Sequence, residues 1–301
     1  MLGRASVLGV AVGMVATAAL TPTSKPGPHV LTGSKITLVF ANPGTGFSGT
    51  TSDRLDTLVW IDSAGRPSGN LAAHGGPVVC GDPIQFFGQS YGAPEGALPG
   101  MIAAGAFSTW TTKSDTAAKT STEGKTCAGQ LDGKTVTKYR VYTTSDRENA
   151  VRVTRRFDFS GGTPVFNGRG LRPYVPRLPL EAYPTVLWPN ATGSALLTKD
   201  AGGCAADCEV TDWNGRWFAD DNGAGSGMVV IRDSRSTGPA LLAIHNDSLS
   251  ASNLTAVLLI QPPNGWKAPL TETQYLCFYD SKTWPAADRA RLKLPAGCRI
   301  S

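Results

Sequence analysis

The sequence predicts an all-β protein, a large two-sheet antiparallel β-sandwich with a short C-terminal helix. Three observations lead there. Glycine and proline are abundant, at 35 and 21 of 301 residues, and both end helices. Short runs of Val, Ile, Leu and aromatic residues recur, with Gly, Ser, Asp and Asn between them. Hydrophobic residues make up 41% and charged residues 17%, so the chain has a core to bury and disorder is excluded.

The elements follow in chain order. Lys35 to Phe40 and Thr57 to Ile61 are β-branched and aromatic runs bounded by turn residues. Val136 to Thr143 alternates, with Val136, Lys138, Arg140 and Tyr142 on one face and Thr137, Tyr139 and Val141 on the other. Ala150 to Phe159 alternates more sharply: Val151, Val153, Arg155 and Phe157 lie opposite Arg152, Thr154, Arg156 and Asp158. Strands at Gly227 to Arg232, Ala240 to Ile244, Thr255 to Gln261 and Gln274 to Tyr279 follow at regular spacing. Such spacing favours a sandwich or barrel over βαβ units. Pro285 suits a first helical turn, and Ala286 to Leu292 is free of breakers before Pro295 and Gly297. No repeat or linker divides the chain, so residues 35–301 are expected to form a single domain.

The first 18 residues read as a signal peptide. Arg4 supplies a positive start, Ala5 to Leu20 is apolar or small, and Ala16-Thr17-Ala18 fits the small-x-small cleavage rule. No later segment approaches membrane-spanning length, so no membrane association is expected after cleavage. Residues 19–34, with Pro22, Pro26, Gly27 and Pro28, read as a flexible leader. The expected location is extracellular or periplasmic.

Six cysteines agree with an oxidising destination. They allow fifteen pairings, of which the sequence-nearest is favoured: Cys80–Cys127, Cys204–Cys208 and Cys277–Cys298. Free buried thiols are the alternative. Zinc is poorly supported, because Cys204 and Cys208 are spaced C-x-x-x-C with no histidine near; no metal and no cofactor is expected. The net charge of +5 has no basic run behind it, which argues against a nucleic-acid partner.

Two catalytic motifs fail on context. Gly88-Gln-Ser90-Tyr-Gly92 matches the nucleophile elbow, but Ala93-Pro94-Glu95-Gly96 does not open a helix. Gly-Lys-Thr at Gly124 and Gly133 lacks the glycine five positions earlier that a phosphate loop requires. The run Asp220-Asp221-Asn222-Gly223 to Gly227 offers oxygen ligands for calcium. It lacks the spacing of a calcium loop, and a polar hairpin loop is preferred.

Sugar recognition needs aromatic faces flanked by amides, guanidiniums and carboxylates. Two clusters offer them: Trp213, Arg216, Trp217, Asp220 and Asp221, and Arg169, Arg172, Tyr174 and Arg177. Core tryptophans and loop-bracing ion pairs are the structural alternative for both. The acid–base candidates are His245 at a strand end beside Asn246-Asp247, His74 in a predicted loop, Glu272 just before a strand, and Glu181.

The stretch from Arg155 to Cys298 carries Arg-Arg-Phe-Asp-Phe, Gly-Leu-Arg-Pro-Tyr-Val-Pro-Arg, Trp-Asn-Gly-Arg-Trp-Phe-Ala-Asp-Asp and Thr-Glu-Thr-Gln-Tyr-Leu-Cys-Phe-Tyr-Asp. It resembles a group of uncharacterised secreted bacterial proteins whose pattern is similar to the galactose mutarotase-like supersandwich. That resemblance implies carbohydrate handling, since the superfamily includes aldose epimerases, polysaccharide lyases and glycoside hydrolase domains. It implies no particular reaction. Asn70 and His74 match an epimerase spacing, but Gly75-Gly76-Pro77 replaces the strand that should follow. The expected function is a secreted carbohydrate-binding protein. A sugar-active enzyme (an epimerase or polysaccharide lyase) and a non-catalytic cell-envelope structural protein are the alternatives.

Overall fold

A computed structural model describes residues 29–41, 54–71, 107–125, 132–158, 182–204, 207–237, 240–245, 256–260 and 269–300. Fifteen strands are found among them, and every pairing is antiparallel. In chain order they are β1 (His29–Thr32), β2 (Ile36–Ala41), β3 (Arg54–Trp60), β4 (Phe107–Ser114), β5 (Ala117–Lys125), β6 (Asp132–Val141) and β7 (Ala150–Asp158). After these come β8 (Thr185–Pro189), β9 (Leu196–Asp200), β10 (Asp207–Val210), β11 (Trp217–Asp221), β12 (Gly227–Arg232), β13 (Ala240–His245), β14 (Ala256–Ile260) and β15 (Leu270–Tyr279). One helix, α1 (Ala286–Ala290), follows.

Nine strands form one large sheet in the order β4-β5-β6-β7-β15-β12-β11-β8-β9. Two three-stranded sheets, β1-β2-β3 and β10-β13-β14, pack on its inner face. The alternation seen in sequence sets this up. Tyr139 and Val141 of β6, Val151 and Val153 of β7, Met228 and Val230 of β12, and Leu276 and Phe278 of β15 all point inward. They meet Leu31, Phe40, Leu58 and Trp60 from one small sheet and Leu242 and Ile244 from the other. The outer face carries a second core, where Trp217, Ile231, Tyr275 and Tyr279 meet the C-terminal residues Trp284, Leu292, Leu294 and Ile300.

Residues 19–34 are not leader throughout. His29–Thr32 form β1, paired with β2 from His29↔Phe40 to Thr32↔Thr37, and Leu31 is buried. β4 and β5 are threonine-, serine- and lysine-rich and are held by ladder pairing more than by apolar content. The helix is shorter than predicted. Pro285 is its N-cap, and the chain turns left-handed at Leu292, φ 57°.

The expected pairs Cys204–Cys208 and Cys277–Cys298 are both bonded, with Cα separations of 5.8 and 5.9 Å. Cys80 and Cys127 lie outside the described residues. The second bridge ties β15 to the C-terminal segment. Asp280 helps, accepting the Ser63 N–H at 2.8 Å, and Asn149 joins the Trp60 indole N–H to the Ala296 carbonyl. No helix among the described residues is long and apolar enough to cross a membrane.

Candidate functional site

Among the described residues, a buried polar row crosses the inner face of the large sheet. Thr137 of β6, Arg155 of β7, and Glu272 and Gln274 of β15 are all buried there, Glu272 at 2% exposure. Register sets Thr137 opposite Arg155, Arg155 opposite Glu272, and Gln274 opposite Arg232, the last residue of β12. Buried polar groups in an apolar layer cost stability unless paired. Here Arg232 Nε donates to both Glu272 oxygens, at 3.0 and 3.1 Å, and Gln274 Nε2 donates at 3.3 Å. Burial pushes the Glu272 carboxyl above its ordinary value, against the pull of Arg232, Gln274 and Ser236.

Arg232 also reaches a groove of about 1130 Å³ that opens where β8 and β12 end and β11 begins. Three loops wall it, with Thr192 from one, Asn214 and Arg216 from the second, and Asp233, Arg235 and Ser236 from the third. Trp217, Leu292, Leu294 and Ile300 supply apolar surface. Asp233 is pinned by Arg235 at 2.8 and 2.6 Å, and that hydrogen bond, against burial, holds its carboxyl below the usual range. Arginine, amide, carboxylate and hydroxyl groups around an apolar floor are the chemistry of sugar-hydroxyl recognition. Glu272 stands just behind this wall, in contact with Arg232 and Ser236.

The structure divides the predicted Trp213–Asp221 cluster. Arg216 is exposed and lines the groove. Trp217 is no open platform: it is 6% exposed, and its ring lies edge-on to Trp284 at 5.7 Å. Trp213 is half-buried, with its indole N–H donating to the Trp217 carbonyl at 2.8 Å. Asp220 and Asp221 sit at the far end of β11 and are buried, so neither reaches the groove. Asp221 braces the β11–β12 hairpin instead. It accepts from Gly223 N, the Tyr279 hydroxyl and Arg289, while Asn222 accepts from Ala224 N and Ser226 N. Gly223 and Gly225 take φ of 77° and 87°, which glycine adopts without strain. The hairpin loop is thus residues 222–226, and Asp220 and Asp221 belong to the strand before it.

His245 ends β13 opposite Asp207; its side chain is outside the described part. His74, Glu181, Arg169, Arg172, Tyr174, Arg177 and the Gly88–Gly92 motif also lie outside the described residues. Arg155, Arg232, Gln274, Asp233 and Arg235 were not singled out in sequence. One signal was available for Arg155: it occupies the apolar face of an alternating strand, between Val153 and Phe157.

One nine-stranded antiparallel sheet covered by two smaller sheets has the fold of a galactose mutarotase-like β-supersandwich. The GalM/aldose epimerase homologue from C. elegans superposes with a TM-score of 0.50 at 11% identity, covering 84% of this chain and 99% of its own. The GH36 α-galactosidase AgaB from Geobacillus stearothermophilus matches with a TM-score of 0.45 at 12% identity over 86% of this chain. This chain spans 40% of that enzyme's length. The sequence itself matches no protein-family profile and no curated protein.

Proposed function

We propose that this chain is a secreted carbohydrate-binding protein that holds its ligand in the groove at the ends of β8 and β12. The observation that carries the reading is the groove wall, where Asn214, Arg216 and Thr192 surround an apolar floor in a fold shared with sugar-active proteins. Arg216 is exposed and makes no ion pair within hydrogen-bond range among the described residues, so its guanidinium is available for ligand hydroxyls. Calorimetry tests it. Arg216→Ala and Asn214→Ala each weaken glycan binding by about 1–3 kcal/mol, the loss typical of a truncated charged or amide contact. Full affinity in both variants overturns the assignment.

A second reading, a sugar-active enzyme, is favoured by Glu272 alone. A buried carboxyl held above its ordinary value, one residue behind the groove wall, is the kind of group that serves as a general acid. It predicts product formation from a bound glycan, lost in Glu272→Gln while binding persists.

A further inference from the structure

The C-terminal segment covers only part of the outer face of the large sheet, over β11, β12 and β15. Beyond it the face changes character. Lys138, Arg140 and Arg156 are exposed, Lys119 and Arg152 half-exposed, and all five lie on the outer side by strand alternation. Register sets Lys119 directly opposite Lys138 and Arg140 directly opposite Arg152. Like charges in such cross-strand pairs destabilise a sheet, so stability alone does not account for them.

At the edge of this face Arg140 and Arg147 both lie over the Tyr142 ring, at 5.4 and 5.6 Å, beside a recess of about 340 Å³ that also takes in Thr116, Thr143 and Thr144. Tyr142 is buried beneath them and Arg152 stacks on buried Tyr275 in the same way. The rings hold the guanidiniums in place without neutralising them. Arg147 Nε and Arg152 Nε are enclosed and donate no hydrogen bond; Asp146, which also lines the recess, forms a long ion pair with Arg147 at 3.8 Å, and Asp233 acts on Arg152. On the other side the face runs into the groove, because Asp233 and Arg235, which line the groove, also interact with Arg152 and Tyr275.

We propose that this uncovered face is a docking surface for an acidic polysaccharide, with the Arg140–Arg147 recess binding one of its carboxylates. The inference rests on the carbohydrate reading above for the class of its occupant. Ordered guanidiniums that outnumber the carboxylates beside them among the described residues match the planar carboxylate fork, and continuity with the groove lets one chain span both. The same face fits a single-stranded nucleic acid poorly, because its aromatic rings lie under arginines and leave no base-stacking platform.

The test is equilibrium binding of the full chain to polygalacturonate, with neutral galactan, a single-stranded oligonucleotide and anionic phospholipid vesicles as comparators. The wild type binds polygalacturonate, with an affinity that falls steeply as salt rises. The double variant Arg140→Gln/Arg147→Gln binds it roughly tenfold more weakly, with the circular dichroism spectrum and the binding of neutral glycan unchanged. Should that variant fail to fold, Lys138→Gln/Arg156→Gln, altered at exposed positions, gives the same direction of loss. Undiminished polygalacturonate binding in a folded variant overturns the proposal. So does tighter binding of the oligonucleotide or the vesicles. If neutral glycan binds and responds to Arg216→Ala while polygalacturonate does not bind, this inference falls and the groove reading stands; if no glycan of either kind binds, both fall.

Discussion

Trp217→Ala separates a core tryptophan from a ligand platform. The side chain is 6% exposed and packs edge-on against Trp284, itself fully buried against Tyr279 at 4.6 Å. Truncating a buried tryptophan costs about 3–5 kcal/mol through lost transfer energy and the cavity left behind. A large share of the 5–15 kcal/mol that holds a typical protein folded, roughly, is at stake. For a protein of this size each kcal/mol lowers the melting temperature by about 2–4 °C, so the drop is on the order of 10 °C. The aromatic pair adds a coupling of about 0.5–1.5 kcal/mol, read from a double-mutant cycle with Trp284→Ala. The assay is urea unfolding with disulfides intact, with Arg216→Ala as the surface control that leaves the midpoint nearly unchanged. An unchanged midpoint in Trp217→Ala, together with lost glycan binding, refutes the core placement and restores the ring as a platform.

Three further outcomes follow from the same packing. Arg232→Met strands the Glu272 carboxylate in the core and costs about 3–5 kcal/mol, measured by urea unfolding; the double variant Arg232→Met/Glu272→Leu recovers most of that loss, and no recovery refutes the pairing. Stability falls on acidification: burial raises the Asp280 carboxyl, but hydrogen bonds from Ser63 and Thr283 outweigh it and hold the group well below its usual range. Its stabilisation is therefore full above the unfolded value of about 3.9 and is lost as pH drops through the folded value, so Asp280→Asn flattens the acid limb of a melting-temperature profile. Glu272, raised in the folded state, acts oppositely and loses stability as pH rises through its folded value. Mass spectrometry of unreduced protein shows three bridges and no free thiol, and Cys298→Ser, which opens a link of sequence separation 21, lowers stability by about 3 kcal/mol.

β7 was legible because its alternation is a direct record of burial, and β12, buried on both faces, because it is a continuous aliphatic run between turn residues. Gly227–Arg232 was placed to the residue, and the β7 and β13 strands to within one. Those that escaped have another source of order. β5 pairs through its backbone on both edges, so threonine and lysine suffice there. β11 is buried on both faces, and its run Trp-Phe-Ala-Asp-Asp has no period to read. β1 is four residues long and is ordered by pairing with β2 and by burial of Leu31, neither of which its own sequence shows. The groove was half visible, through Arg216 and Trp217, because those two are neighbours in sequence. Arg232, Asp233 and Arg235 join them only through strand pairing. The cationic outer face was hidden for the same reason: its lysines and arginines occupy alternate positions on three strands and form no run.

The central claim is that a glycan occupies the groove walled by Asn214 and Arg216. A glycan array followed by calorimetry on the best neutral hit, with chromatography of the same mixture for products, tests it most directly. The account predicts saturable binding, no product, and an affinity loss of about 1–3 kcal/mol in folded Arg216→Ala. Binding that is indifferent to both Arg216→Ala and Asn214→Ala, or an array with no hit, contradicts it.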